Sequence, residues 1–258
     1  MTRHDRSSTR NAYLFGTCVI DIFMPQAGLD AVRVLERAGV TVHYPRGQSC
    51  CGQPAWSSGN PDEARAVARA QLDLFPEPWP IVVPSGSCAG MMRKHWPELF
   101  QDDPVLGPRA QALAGRVFEF SDYLLRELGW TMPTGASTAP EKVALHTSCS
   151  ARREMGTRAH GVALLDAVPG VARVEHERES ECCGFGGSFS IKHADISGAM
   201  VQDKVASVRA TGCERVVSAD CACLLNIGHA ARHQGVPLEV EHLASLLWRR
   251  MGGEGGQP

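Results

Sequence analysis

The sequence predicts an α/β fold built from two similar domains, each a parallel sheet flanked by helices and related to the other by a pseudo-twofold axis. Two observations predict it. Strand-like and helix-like patterns alternate along the chain, and such alternation builds parallel sheets covered by helices. The cysteines also repeat. Cys18 is followed by 31 residues, the pair Cys50–Cys51, 36 residues and Cys88; Cys149 is followed by 32 residues, the pair Cys182–Cys183, 39 residues and Cys223. Both pairs continue as Cys-Cys-Gly, and self-similarity over such a period marks a duplication.

The elements follow in order. "AYLFGT" (12–17) is an apolar run ending at Cys18, and "DAVRVLERAG" has helical apolar spacing with a glycine stop at Gly39. "VTVHY" (40–44) alternates like a strand. After the first Cys-Cys loop, "PDEARAVARAQLDLF" opens on Pro61 with Asp62 and Glu63 in its first turn, a favourable helix start. "IVVP" (81–84) reads as a buried strand, "SGSCAGMMRKHW" as a helix, and 108–128 as one long closing helix. The second half repeats the order. "KVALHT" runs towards Cys149, a helix lies near 159–167, and "ARVEH" is a strand before the second Cys-Cys loop. Then come the helix "ADISGAMVQDKVASVRAT", the strand "RVVSA", the helix "CLLNIGHAARHQ", the strand-like "LEVEHL" and the helix "LASLLWRRM".

These elements divide the chain into a first domain at 12–129, a linker at 130–140 rich in Pro, Thr, Ser and Gly, and a second domain at 141–251. The polar stretches 1–11 and 252–258 read as disordered tails. Of 258 residues, 43% are hydrophobic and 21% charged, and the net charge is −2. That balance leaves no basic footprint for nucleic acid and no polybasic membrane patch. No run approaches the roughly 20 apolar residues of a membrane span, and the start "MTRHDRSSTR" lacks the apolar centre of a signal peptide. The expected setting is cytoplasmic.

Ten cysteines in a reducing compartment point to metal or redox work rather than to disulfides. Cys213 stands outside the repeat and reads as a buried apolar thiol. The first repeat offers four candidate ligands, Cys18, Cys50, Cys51 and Cys88; the second offers five, Cys149, Cys182, Cys183, Cys221 and Cys223. Cys18, Cys88 and Cys149 each follow a predicted strand, and ligand sites in open parallel sheets gather beyond the carboxyl ends of the strands. Gly52 and Gly184 relax the backbone so that adjacent thiols can face one centre and N–H groups can approach sulfur. Four thiolates suit zinc. A fifth exceeds what zinc needs and favours an iron–sulfur centre in the second repeat. The ferredoxin run C-x2-C-x2-C-x3-C is absent.

On "GTCVIDIFMP", "SCCGQPAWSSG", "VPSGSCAGMM", "ECCGFGGSFSIK" and "SADCACLLNI", the chain resembles the cysteine-rich CCG domain proteins over 12–250. Heterodisulfide reductase B subunits and the iron–sulfur subunit of glycolate oxidase belong to that family, and within it the chain resembles the lactate utilization protein A group. The resemblance implies an electron-transfer subunit of a complex oxidising L-lactate, or a similar 2-hydroxy acid, to pyruvate. It implies as partners a ferredoxin-type iron–sulfur subunit and a third subunit. As cofactors it implies a noncubane 4Fe-4S cluster in the second repeat and iron–sulfur or zinc in the first. Other classes compatible with the residues are a zinc-stabilised scaffold without redox role and a thiol or heterodisulfide reductase subunit. Where the family pattern has CxxC, this chain has Ser85 in the first repeat and Asp220 in the second, with Cys221 one step nearer Cys223.

Other signals are weaker. "GFGG" (184–187) lacks the strand a nucleotide loop requires before it. His146 and His43 read first as satisfied strand-end histidines and second as polar donors near the cysteines. Asp21 and Lys192 read first as solvated or capping groups and second as groups serving substrate or charge balance, and the "ARRE" run at 151–154 reads as a helix-start face. No Ser-His-Asp order or paired-carboxylate motif emerges.

Overall fold

The computed structural model describes residues 10–253, so the predicted tails lie mostly outside the described residues. The first half runs β1 (Arg10–Leu14), α1 (Cys18–Phe23), α2 (Pro25–Arg37), β2 (Val40–His43), α3 (Gln53–Ser57), α4 (Pro61–Gln71), β3 (Ile81–Val83), α5 (Gly86–Gly90), α6 (Trp96–Leu99), α7 (Leu106–Ala114), β4 (Val117–Glu119) and α8 (Phe120–Asp122). The second runs β5 (Glu141–Leu145), α9 (Arg158–Asp166), β6 (Val171–Val174), α10 (Phe189–Lys192), α11 (Ala194–Arg209), β7 (Arg215–Ser218), α12 (Cys221–His233), β8 (Glu239–His242) and α13 (Leu243–Arg250). The sheets are ordered β2-β1-β3-β4 and β6-β5-β7-β8. All pairings are parallel, and the registers open equivalently at Arg10↔Val40 and Glu141↔Val171. The duplicated α/β architecture is therefore present.

Successive strand side chains point to opposite faces, and here both faces are buried. Ala12, Leu14, Val82, Val143, Leu145 and Val217 face a central core shared by the two halves. Tyr13, Phe15, Ile81 and Val83 face an outer core of the first half, and Ala144 and Val216 an outer core of the second. α2 and α13 close the central core with Ala31, Val34, Leu35, Ala244 and Leu247, and the Arg33 guanidinium lies 5.6 Å from the Trp248 ring centroid. The 130–140 connection also leans on this core through Trp130 and Met132.

The single helix expected over 108–128 is broken. α7 stops at Ala114, β4 pairs with β3 through Ile81↔Val117, and helical turns resume at Phe120. The backbone groups on the outer side of β3 need a partner, and β4 supplies it where β8 serves β7. Among the described residues, no helix is long and apolar enough to cross a membrane.

Candidate metal centres

The loop after β1 turns sharply. Thr17 adopts φ 51°, a left-handed value costing a non-glycine residue about 1–3 kcal/mol, and its hydroxyl accepts from Ile20 N at 3.3 Å. That turn presents Cys18 at the start of α1. The first Cys-Cys loop crosses the same end of the sheet, and Cys88 comes from α5 beyond β3. The thiols act on one another in a series: Cys18 with Cys50, Cys50 with Cys51, Cys51 with Cys88. Thiol donors Cys18 and Cys51, then the N–H groups of Gly52 and Cys51, draw Cys50 down to about 3. Gly52 N–H donates to Cys50 Sγ at 3.4 Å, and Gly184 N–H to Cys182 Sγ at 3.3 Å. Backbone approach to sulfur, expected from the glycines, is thus present in both halves.

The second half repeats the series with Cys149, Cys182, Cys183 and Cys223. Hydrogen bonding to Cys182, then burial, pushes Cys149 up. Each loop is clamped from outside. Trp96 Nε1 donates to Cys51 O at 2.9 Å, and Asn226 Nδ2 to Cys183 O at 2.8 Å. Gln71 Nε2 donates to Ser49 Oγ at 2.7 Å, anchoring the residue before Cys50. Lys204 does the same in the second half, donating to Glu181 O at 2.9 Å and also to Arg178 O. The second loop therefore rests on a buried ammonium where the first rests on an amide. The two loops also meet: Ser58 Oγ lies 2.5 Å from Ser188 Oγ, and Gln53 Nε2 donates to Ser150 Oγ at 3.2 Å.

Cys221 stands apart. It opens α12 and packs with Ile20 and Ala27 of the first half. Burial, then Asp220 and Cys88, push its thiol up, so the cysteine acting on it belongs to the first repeat. Cys221, expected in a five-thiolate set with the second repeat, is not a neighbour in the Cys149–Cys182–Cys183–Cys223 series. Cys221 and Cys223 are two residues apart on a helix and point to different sides. Cys213 fills the outer core, its Sγ at 3.2 Å from Lys142 O and 3.1 Å from Arg215 O.

Ser85 and Asp220 meet each other. Ser85 Oγ donates to Asp220 Oδ1 at 2.9 Å, as do Ser87 N at 3.1 Å and Ser87 Oγ at 2.6 Å, while Ser148 Oγ donates to Oδ2. They tie the halves together. Gly86 makes room for this: a Cβ there would stand 2.3 Å from Ala151 Cβ.

His146, expected as a satisfied strand-end residue, is not satisfied. It is 1% exposed, and neither ring nitrogen has a hydrogen-bond partner. One ring nitrogen, Cys183 Sγ and Cys223 Sγ lie within 4.8 Å of one another. Burial, then Lys204, His176 and Arg152, lower it to about 3, so the ring is neutral. The signal was its place three residues before Cys149. His43 is packed instead on Trp79, ring centroids 4.3 Å apart, with Nε2 2.9 Å from Asn11 Oδ1. Asp21 and Lys192 are exposed.

Clustered, half-buried to buried thiols with N–H donors beside them fit a metal or metal–sulfur centre: thiolate ligands carry negative charge that a cation and backbone N–H groups offset. Both cradles require glycine. Gly52 has φ +91° and Gly184 φ +86°, and added Cβ atoms would stand 3.1 Å from Ala64 O and 2.6 Å from Ser197 O.

The cysteine-rich domain (CCG) profile matches residues 12–93 and 143–228. The chain is 41% identical over 234 residues to lactate utilization protein A of Bacillus subtilis (strain 168), covering 91% of this chain and 97% of that one. It is 42% identical over 239 residues to lactate utilization protein A of Exiguobacterium sp. (strain ATCC BAA-1283 / AT1b), covering 92% and 96%. In fold it is similar to the crystal structure of a hypothetical protein from Helicobacter pylori, with TM-score 0.64 and 9% identity, covering 96% of this chain and 50% of that one.

Proposed function

The chain belongs to the cysteine-rich CCG family, in its lactate utilization protein A group, and on that premise we propose that it is an iron–sulfur electron-transfer subunit of a complex oxidising L-lactate, or a similar 2-hydroxy acid, to pyruvate. The observation that carries this reading is the pair of four-thiol groups on duplicated loops, each with two buried and two half-buried cysteines. Cys149, Cys182, Cys183 and Cys223 would hold one cluster; Cys18, Cys50, Cys51 and Cys88 would hold a second cluster or a zinc ion. A bound cluster supplies reversible one-electron storage.

The chain's own residues do the rest. Gly52 and Gly184 N–H groups hydrogen-bond sulfur and offset its charge. Gln71 and Lys204 fix the loops from behind. The contacts of Gln53 with Ser150 and of Ser58 with Ser188 join the loops of the two halves, which supports passage of charge between the centres. Lactate oxidation releases two electrons and two protons, so a subunit of this kind works with others. A ferredoxin-type subunit would supply the cubane motif missing here, and a third subunit completes the assembly. Exposed Ile22 and Phe23 on α1 and Ile191 on α10, on segments following Cys18 and the second Cys-Cys loop, support contact with such partners. A cytoplasmic, reducing setting keeps the ten thiols free.

The first centre also favours a second reading, a closed zinc site, because its donor set is four thiols with apolar Phe15 beside the strand end. The test is iron, zinc and acid-labile sulfide analysis with electron paramagnetic resonance on anaerobically purified protein, alongside Cys50→Ser and Cys182→Ser. Iron with sulfide, reduced in Cys182→Ser, is the expected result. Stoichiometric zinc without sulfide at both centres would replace the electron-transfer reading with a scaffold.

A further inference from the structure

The two centres share a sulfur pattern and differ in what stands behind it. The residue three positions before the first cysteine of each repeat occupies the same place in the sheet: Phe15 N donates to Val82 O at 2.9 Å, and His146 N to Val217 O at 2.8 Å. Phe15 is fully buried in apolar surroundings. His146 is equally buried, but it carries two polar ring atoms without a protein partner. Leaving such an atom unsatisfied costs about 1–3 kcal/mol.

We propose that His146 is a protein ligand of the second centre, which makes that centre a mixed cysteine–imidazole site and distinguishes it from the all-cysteine first centre. The proposal rests on the reading above that the second cysteine group holds a metal. Its geometry is the convergence of one His146 nitrogen with Cys183 Sγ and Cys223 Sγ, mutually within 4.8 Å. Imidazole nitrogen and thiolate are compatible donors to the same zinc or iron ion.

A metal-bound histidine ordinarily satisfies its other ring nitrogen through a hydrogen bond. A cavity of ≈ 20 Å³ lined by His146, Ser121, Thr157 and Asp220 adjoins the ring. It has room for about one water, which would serve that nitrogen. The buried Lys204 ammonium, which donates to Arg178 O and Glu181 O, acts electrostatically on Cys183, Glu181, Cys223 and Cys182. Its charge offsets the thiolates, so a neutral fifth donor adds no further negative charge.

The experiment uses the full chain carrying Cys50→Ser and Cys51→Ser, so that the second centre is observed alone. It is prepared with natural-abundance and 15N-labelled histidine and reconstituted anaerobically with iron and sulfide. Pulsed electron paramagnetic resonance should show a directly coordinated histidine nitrogen whose signal changes with the label. That coupling should be lost in His146→Phe, which copies the first repeat, and in His146→Gln should the larger ring disturb folding. Cobalt(II) is bound to the same variants in parallel, and its ligand-field bands should move from mixed sulfur–nitrogen to all-sulfur when His146 is replaced.

An iron cluster without histidine coupling overturns the inference and leaves the electron-transfer reading intact. Cobalt bound with a nitrogen ligand in a chain that takes up no iron sustains the inference and removes the electron-transfer reading. A second centre that binds neither metal overturns both.

Discussion

Glu119 ends β4 with its side chain fully buried. Its Oε2 accepts from Ser121 N at 2.9 Å, Asp122 N at 3.3 Å and the Ser121 hydroxyl, while Oε1 has no partner. Burial, with the Asp220 carboxylate adding, raises its pKa to about 7 from 4.5. Between those values the folded protein keeps the proton and the unfolded chain releases it. This residue's contribution is therefore most favourable below pH 4.5 and declines as pH rises to about 7. Glu119→Gln should stabilise the protein by about 2–3 kcal/mol at pH 8 and change little at pH 4.5. Urea unfolding at both values checks this, and an equal effect at the two would contradict it. Nothing in the sequence singled Glu119 out, because the segment read as helix and its burial depends on β4 joining the sheet.

Among the elements, the Cys-Cys-Gly loops give the sharpest comparison. Both glycines have positive φ, but Gly184 is the more confined, at 2.6 Å from Ser197 O against 3.1 Å for Gly52 and Ala64 O. Gly184→Ala should cost about 2–4 kcal/mol and Gly52→Ala about 1–2 kcal/mol. Denaturant midpoints of the two variants test the order. Equal losses would show that the second loop relaxes as easily as the first. The role of these glycines was legible from their place after paired cysteines. The pairing of β4 was less so: "RVFEF" is short, and a helical pattern continues on both sides of it. The cysteine spacing does not reveal it either, because Val117 lies 29 residues after Cys88 while Glu239 of β8 lies 16 after Cys223.

In the whole molecule, the halves share one core and one polar knot. Asp220 accepts from Ser85 and Ser87 of the first half and Ser148 of the second. His242 adds a cross-half contact, with Nε2 3.0 Å from Pro84 O. Asp220→Ala would leave three hydroxyls and an N–H without their acceptor in a buried place. It should cost about 3–5 kcal/mol, against about 1 kcal/mol for Ser85→Ala. Equilibrium unfolding by urea measures both, and a loss below about 0.5 kcal/mol for Asp220→Ala would dismiss the knot as a stabilising element.

The duplication, the parallel α/β class and the eight repeated cysteines were determined by local order and spacing, which a chain displays before it folds. The partners of Ser85, Asp220, Cys221 and His146 were decided by tertiary structure. Ser85 and Asp220 lie more than a hundred residues apart, and their hydrogen bond exists because the halves pack face to face. Cys221 belongs to the second repeat by sequence but points to the first half, because helix geometry turns it away from Cys223. His146 is one more apolar-strand terminus until the fold removes water from both its nitrogens and brings Cys183 and Cys223 beside it. Burial and convergence of side chains belong to the folded chain as a whole, and spacing alone does not carry them.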